Sequence, residues 1–363
     1  MTDTAALPIR IGATNVTGLG AVQLALSLLP ALDRLERAAV EVLYLPDHGD
    51  LAAWSPASSV TRTAIYHRRL PHSLSRAIEC MVPQGFYAGS TPLLTLGDLP
   101  VQTPARQVIL VQNLHLTNHG SSAVKYKIAR ALFRANLRFA TAIVVQTVAM
   151  RDAMCDTYAL DPARLHVIAQ PPPKWLTATP LQRTGRIGTT PALSLFYPAA
   201  DYLHKNHRLL AAVGAEDWNG LVARLTLTID PYNNPNPALR AIDCVGRLSA
   251  DGVISAYTQA DALLFLSLSE SYGFPLVEAI WAGLPIVCPD LPYARTLCGD
   301  QALYFAPHDP ASLTAAIAEL QRRLAAGWWP DWHAARRRLP PSWDAVAREM
   351  LVLLHPDIGL QAP

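Results

Sequence analysis

Residues 269–279 read SESYGFPLVEA, and the rest of the chain is best read outward from them. The apolar run DALLFLSLS (261–269) ends just before them, which puts Glu270 in a loop at the carboxyl end of a strand. Pro275 suits a first helical turn, where its missing N–H costs nothing. Gly283 suits the end of the same helix. Glu278 then lies about one turn in, and Gly273 lets a ligand approach the backbone closely. A helix start favours phosphate through its free N–H groups and dipole. Two acids flanking such a start imply that the ligand also needs hydrogen-bond acceptors. A glutamate in a first turn is stabilising in itself, by about 0.3–1 kcal/mol. These residues alone therefore leave both a ligand site and an ordinary helix start open.

Around this stretch the second half alternates strands and helices. LSLFYPA (193–199), VARLTLTI (222–229), AIDCVG (241–246), DALLFLSLS and LPIVCPD (284–290) read as strands. Helices are expected over 205–214, 249–260, 275–282 and 311–326. The first half repeats the rhythm with strands at 9–14, 40–46, 108–113, 142–147 and 165–170. Helices there are expected after NVTGLGA (15–21) and over 121–139 and 148–159. Strand and helix in alternation imply a parallel sheet covered on both faces. The prolines of QPPPKWLTATPLQRTGRIGTTP (170–191) interrupt the pattern and stiffen a connection. Two α/β domains are expected, 1–172 and 173–340, with a last helix within 341–363 packing back on the first.

Bulk properties narrow the partners. The chain has 363 residues, half of them apolar and 16% charged, with a formal net charge of +2. That composition fits two globular domains and argues against a dedicated nucleic-acid binder. Residues 1–175 carry 16 Lys/Arg against 11 Asp/Glu, and the remainder 14 against 17. A basic first half suits an anionic ligand or membrane surface. Five cysteines without paired spacing suggest neither a zinc framework nor a disulfide scaffold. No secretory signal pattern or membrane-length apolar run is read, so a cytoplasmic location is expected, peripheral to the inner face of the membrane at most.

GFPLVEA, two glutamates separated by seven residues, and GLPIVCPDLPYARTLCGDQALYFAPHDPASLTAAI (283–317) resemble the retaining, nucleotide-sugar-dependent group 1 glycosyltransferases of GT-B fold. LSLFYPAADYLHKNHRLLAAV and VGRLSADGVISAYTQADALLFLS extend the resemblance upstream to about residue 193. It implies two Rossmann-like domains facing across a cleft, and a nucleoside-diphosphate sugar as donor. Glu278 would accept hydrogen bonds from the ribose and Glu270 from the donor sugar. Backbone around Gly273, Phe274, Pro275 and Leu276 would meet sugar hydroxyls and diphosphate, and Lys205 would be the cation on the diphosphate. Gly246 and Arg247 match the nucleotide-base segment. No metal or other cofactor is implied, and no Asp-x-Asp pair occurs. Where many relatives have arginine, this chain has Ala200, with Arg208, His204 and His207 as possible substitutes.

In the first half, Gly18 and Gly20 lack a dinucleotide-fingerprint spacing. The resemblance implies that their loop approaches the donor phosphates. Gln112 stands where many relatives have histidine, leaving Asn113 and His115 as acceptor-side candidates. His115 and His119 have helical metal-ligand spacing but no third partner in view. Lys127, Arg130, Arg134 and Arg138 form one helical stripe, either a solvated face or a contact with an anionic membrane carrying a lipid-linked acceptor. GWWPDWHAARRR (327–338) reads as packing or as an interface. The expected reaction is sugar transfer to a carbohydrate or lipid-linked acceptor in cell-envelope synthesis. A nucleotide-sugar epimerase and an inactive partner subunit are the alternatives.

Overall fold

A computed structural model describes residues 6–59, 61–68, 70, 72–81, 87–186 and 191–358. The Asp3 end of the chain, linker positions 187–190 and positions 359–363 lie outside the described residues. The chain divides into two compact units, Met1–Pro171 with Pro340–Pro363, and Pro172–Leu339. The division falls within the proline run at 171–173.

The first unit contains β1 (Leu7–Gly12), α1 (Leu19–Arg34), β2 (Ala38–Pro46), β3 (Arg62–Tyr66), α2 (His72–Met81), β4 (Leu93–Thr95), β5 (Gln107–Leu110), α3 (Val124–Asn136), β6 (Ala142–Val145), α4 (Val148–Tyr158) and β7 (Leu165–Val167). Its strands pair in parallel in the order β3-β2-β1-β4-β5-β6-β7. β5 and β6 are buried at every position, as strands covered on both faces must be. The chain builds outward from β1 to β3, then returns to the other side of β1 with β4. Strand order thus reverses between β1 and β4. In open α/β sheets, ligands bind outside the carboxyl ends of the strands at such a reversal.

The second unit contains α5 (Lys174–Thr177), β8 (Leu193–Tyr197), β9 (Val222–Leu227), β10 (Ile242–Cys244), α6 (Ala250–Gln259), β11 (Ala262–Leu264), α7 (Phe274–Ala282), β12 (Ile286–Pro289), α8 (Pro292–Cys298), β13 (Leu303–Phe305), α9 (Pro310–Ala325) and α10 (His333–Arg337). Its sheet is also parallel, in the order β10-β9-β8-β11-β12-β13. The same outward-then-back path puts its reversal between β8 and β11. The helix expected over 205–214 is instead two 3-10 turns, Leu203–Lys205 and His207–Ala212. Asn206 divides them at φ 58°, a left-handed conformation that no right-handed helix continues. Its Nδ2 donates to Pro307 O at 3.0 Å.

The last helix, α11 (Trp343–Leu354), belongs to the first unit and packs on α1. Ser342 caps it by accepting from Ala345 N at 3.2 Å. Arg106 Nε donates to Leu353 O at 2.8 Å, and Arg34 pairs with Asp344 at 3.1 Å.

Candidate active site

β8 and β11 are neighbours, with Phe196 opposite Leu263. Beyond their carboxyl ends, Leu268 N donates to His204 O at 2.8 Å, joining the two loops. That join carries Lys205 to Glu270, and Nζ lies 2.5 Å from Oε1. The two side chains are only 15% and 12% exposed. Tyr197 fixes the lysine backbone by donating its hydroxyl to Lys205 O at 2.8 Å. Tyr293 does the same for the facing loop through Ser267 O. Burial raises both phenol pKa values, and the negative charge of Glu270 raises them further.

α7 begins at Gly273, whose φ of 94° places it in the left-handed region and whose lack of a side chain leaves the helix start uncapped. Pro275 occupies the first turn, as the sequence implied. The other end of α7 is tied down. Arg336 donates to Ile280 O at 2.9 Å and Trp281 O at 2.8 Å, and Trp329 Nε1 donates to Gly283 O at 2.8 Å. Trp332 Nε1 donates to Leu284 O at 2.8 Å. A cation on the last carbonyls complements the helix dipole. The tryptophan–arginine cluster therefore packs against the end of α7. Leu276 is core, with its side chain beside Gly273; Phe274 is half-buried and packs edge-on against Tyr272 at 5.3 Å.

Glu278 is 7% exposed and accepts from Tyr257 Oη at 2.7 Å. Burial pushes its pKa up to about 7, with the tyrosine hydrogen bond opposing the shift. The carboxyl is thus poised to gain or lose a proton near neutrality. Gly246, at φ 72°, turns the chain after β10, and Arg247 beside it is exposed. His207 cannot stand in for the arginine absent at Ala200. It is 5% exposed, and burial lowers its pKa to about 4, so it is neutral. Arg208 is exposed, and the ring of His204 stacks on Tyr202 at 5.7 Å.

In the first unit Gly18 precedes α1 at φ −71°, and a methyl group added there would meet nothing within 4 Å. Gly18 and Gly20 are both exposed. Asn113 caps the turn Leu114–Leu116, its Oδ1 accepting from His115 N at 3.0 Å. His115 Nδ1 accepts from Ser121 N at 3.1 Å, and its ring packs on Tyr126 at 4.2 Å. Both acceptor-side candidates thus take part in holding their own loop. Among the described residues no group of three or more His, Cys, Asp or Glu could hold a metal ion. Two members of the basic stripe fold inward: Arg130 donates to His115 O at 2.8 Å and Arg134 to Thr157 O at 3.0 Å. The motif pattern did not reveal Tyr257, Tyr197 or Tyr293, because nothing in sequence spacing pairs a phenol with a partner brought in by the fold.

Residues 183–323 match the profile of the family "Glycosyl transferases group 1". The serotype-specific mannosyltransferase WbdA of Escherichia coli is 29% identical over 115 residues, 32% of this chain and 13% of that protein. The O-antigen chain mannosyltransferase RfbU of Salmonella typhimurium is 19% identical over 230 residues, 60% of this chain and 61% of that protein. This chain thus aligns with less than two thirds of either relative's length. Among solved structures, WaaG, a glycosyltransferase involved in lipopolysaccharide biosynthesis, superposes with a TM-score of 0.65. It is 12% identical, over 96% of this chain and 100% of that one. The family match lies within the second unit, and the fold of the chain is that of GT-B structures such as WaaG.

Proposed function

We propose that the chain transfers a sugar, mannose in the first instance, from a nucleoside diphosphate to an acceptor hydroxyl with retention of anomeric configuration. The product belongs to cell-envelope polysaccharide or lipid-linked oligosaccharide. The observation that carries this reading is the meeting of Lys205 and Glu270 at the strand-order reversal, beside an uncapped helix start that leads to Glu278. The names of both curated relatives point to mannose, and that of RfbU to an O-antigen chain.

Each residue has one task. Breaking the sugar–phosphate bond adds negative charge to the leaving diphosphate, and the ammonium of Lys205 with the α7 amides offsets it. Glu270 accepts hydrogen bonds from the donor sugar and Glu278 from the ribose; bonds to charged groups are worth about 1.5–3 kcal/mol each. The leaving phosphate takes the proton of the incoming hydroxyl on the same face of the sugar, so no protein nucleophile is required. No metal or other cofactor takes part. The exposed side of α3, with Val124, Lys127 and Ile128, and Arg138 in the turn after it, contacts an anionic membrane that carries the acceptor. No acidic residue lies between Asp98 and Asp152 to oppose that attraction.

The test is incubation with uridine-, guanosine-, adenosine- and thymidine-linked sugars, followed by NMR of any product. The reading expects slow hydrolysis at most without acceptor, and transfer with an unchanged anomeric centre once an acceptor is added. An epimer accumulating from donor alone, or an inverted product, contradicts it.

A further inference from the structure

The reversal point of the first unit holds a buried polar network with no part in the donor chemistry above. Glu79 of α2 is its hub. Thr14 and Tyr87 donate hydroxyls to Oε1, the latter at 2.6 Å, while Arg68 and Arg76 approach Oε2 at 3.3 and 3.0 Å. The side chains of both arginines are 5% exposed and that of Glu79 1%. Thr14 and Asn15 follow β1, and Gly97 and Asp98 follow β4, the two strands between which the order reverses. Asn15 Nδ2 and Arg76 Nη2 both donate to Gly97 O, at 3.0 and 3.1 Å. Asp98 is held at φ 66° and accepts from Gln112 N at 2.7 Å.

A hydrogen-bond count over this network is lopsided. Glu79 already receives four donors, and the Asp98 carboxylate is engaged by backbone amide. Three buried donors remain without a partner among the described residues: Arg68 Nη1, Arg76 Nε and Gln112 Nε2. Leaving a buried guanidinium N–H unmatched is costly, more so than for a neutral donor. The group that would match them is rich in acceptors and negatively charged, and guanidinium forks fit phosphate and carboxylate oxygens in particular.

The geometry points to an oxyanion site at the carboxyl ends of β1, β4 and β5, in which Arg68 and Arg76 take a phosphate or carboxylate group of a substrate. This deepens the glycosyltransferase reading and rests on it for the substrate's identity. The first unit would then select a charged acceptor. A neutral glycan would not satisfy it.

The test is calorimetry on the full chain with inorganic phosphate, methyl α-D-glucuronide and, as neutral control, methyl α-D-mannoside. Wild type, Arg68→Gln and Arg68→Lys are compared, first alone and then saturated with nucleoside diphosphate to occupy the Lys205 site. An acceptor oxyanion is expected to bind the saturated wild type about tenfold or more tightly than Arg68→Gln, with Arg68→Lys between them. A phosphate response marks a phosphorylated acceptor and a glucuronide response a carboxylated one. Should Arg68→Gln fail to fold, the comparison of wild type with Arg68→Lys carries the test. Affinities for all oxyanions and nucleotides that are indifferent to Arg68, or methyl mannoside binding as well as they do, overturn the inference. Nucleotide binding that depends on Glu278 and Lys205, together with oxyanion binding indifferent to Arg68, defeats this inference alone. Arg68-dependent oxyanion binding without nucleotide binding defeats the donor reading and leaves this site standing.

Discussion

Lys205 and Glu270, 65 residues apart, form a part-buried ion pair with Nζ 2.5 Å from Oε1. In the proposed reaction one serves the diphosphate and the other the sugar, so the ligand must divide a pair already made. The pair keeps both charges in place beforehand, which avoids reorganisation when charge develops. Lys205→Met is expected to lower kcat by about 10²–10³-fold, the usual effect of losing one such stabiliser. Glu270→Gln is expected to lose most turnover with a smaller change in KM. Each single change also leaves one charge without its partner, so each destabilises the fold. The double variant is expected to regain part of that stability but no activity, a separation that denaturant unfolding and kinetics measure on the same samples. Wild-type kinetics in either single variant contradicts the assignment.

The carboxyl of Glu278 makes donor affinity depend on pH. Its pKa stands at about 7 in the native chain, against 4.5 when unperturbed. The native state therefore holds the proton more tightly than the unfolded one. Stability is unaffected below about pH 4.5, falls as pH rises from there to about 7, and levels off above, by about 3 kcal/mol in all. Ribose hydroxyls donate to the ionised form, so nucleotide affinity should move the opposite way, about tenfold weaker at pH 6 than at pH 8. In Glu278→Gln both dependences should shrink to whatever the nucleotide's own ionisation leaves. An unchanged pH slope in that variant would exclude Glu278 as its source.

Gly283 is fixed from both sides. Its φ is 77°, and an added Cβ would stand 2.3 Å from the backbone oxygen of Arg183. Gly283→Ala is expected to cost about 2 kcal/mol or more, read as a lowered unfolding midpoint. Because α7 loosens with it, donor affinity should fall as well. A variant as stable as wild type would mean that the Arg183 segment yields freely.

Gly18 gives the opposite case. Its φ is ordinary and the space around it is open. Gly18→Ala should leave stability within about 0.5 kcal/mol. If the loop closes on donor phosphates, the same methyl group should lower kcat/KM substantially. Full activity in a stable Gly18→Ala would remove this loop from the site.

Much of the architecture is legible in the sequence, and the gaps have physical causes. β6 and, after Gln107, β5 announce themselves as apolar runs, because a strand covered on both faces has little polar side to show. β3 and β4 do not. The first lies at a sheet edge with Arg62, Thr63 and Ile65 exposed, and the second has only three residues. Leu209, Leu210 and Val213 are buried, yet the left-handed Asn206 prevents the α-helix expected over 205–214. Local motif chemistry points to Glu270 and Glu278, and the family resemblance adds Lys205. The salt link between two of them, and the tyrosine behind the third, depend on which strands become neighbours. The network around Glu79 escaped the sequence reading altogether: Arg76 lies one helical turn away on α2, and Arg68, Thr14 and Tyr87 join it only through the fold.

Calorimetric titration of nucleoside diphosphates and their sugars, guanosine and uridine forms first, into wild type, Glu278→Gln and Lys205→Ala at pH 8 tests the central claim most directly. The account predicts saturable one-site binding of at least one donor to wild type, weakened by about 10–100-fold in each variant. Donor binding of equal strength in all three proteins, or no binding of any donor to wild type, would contradict it.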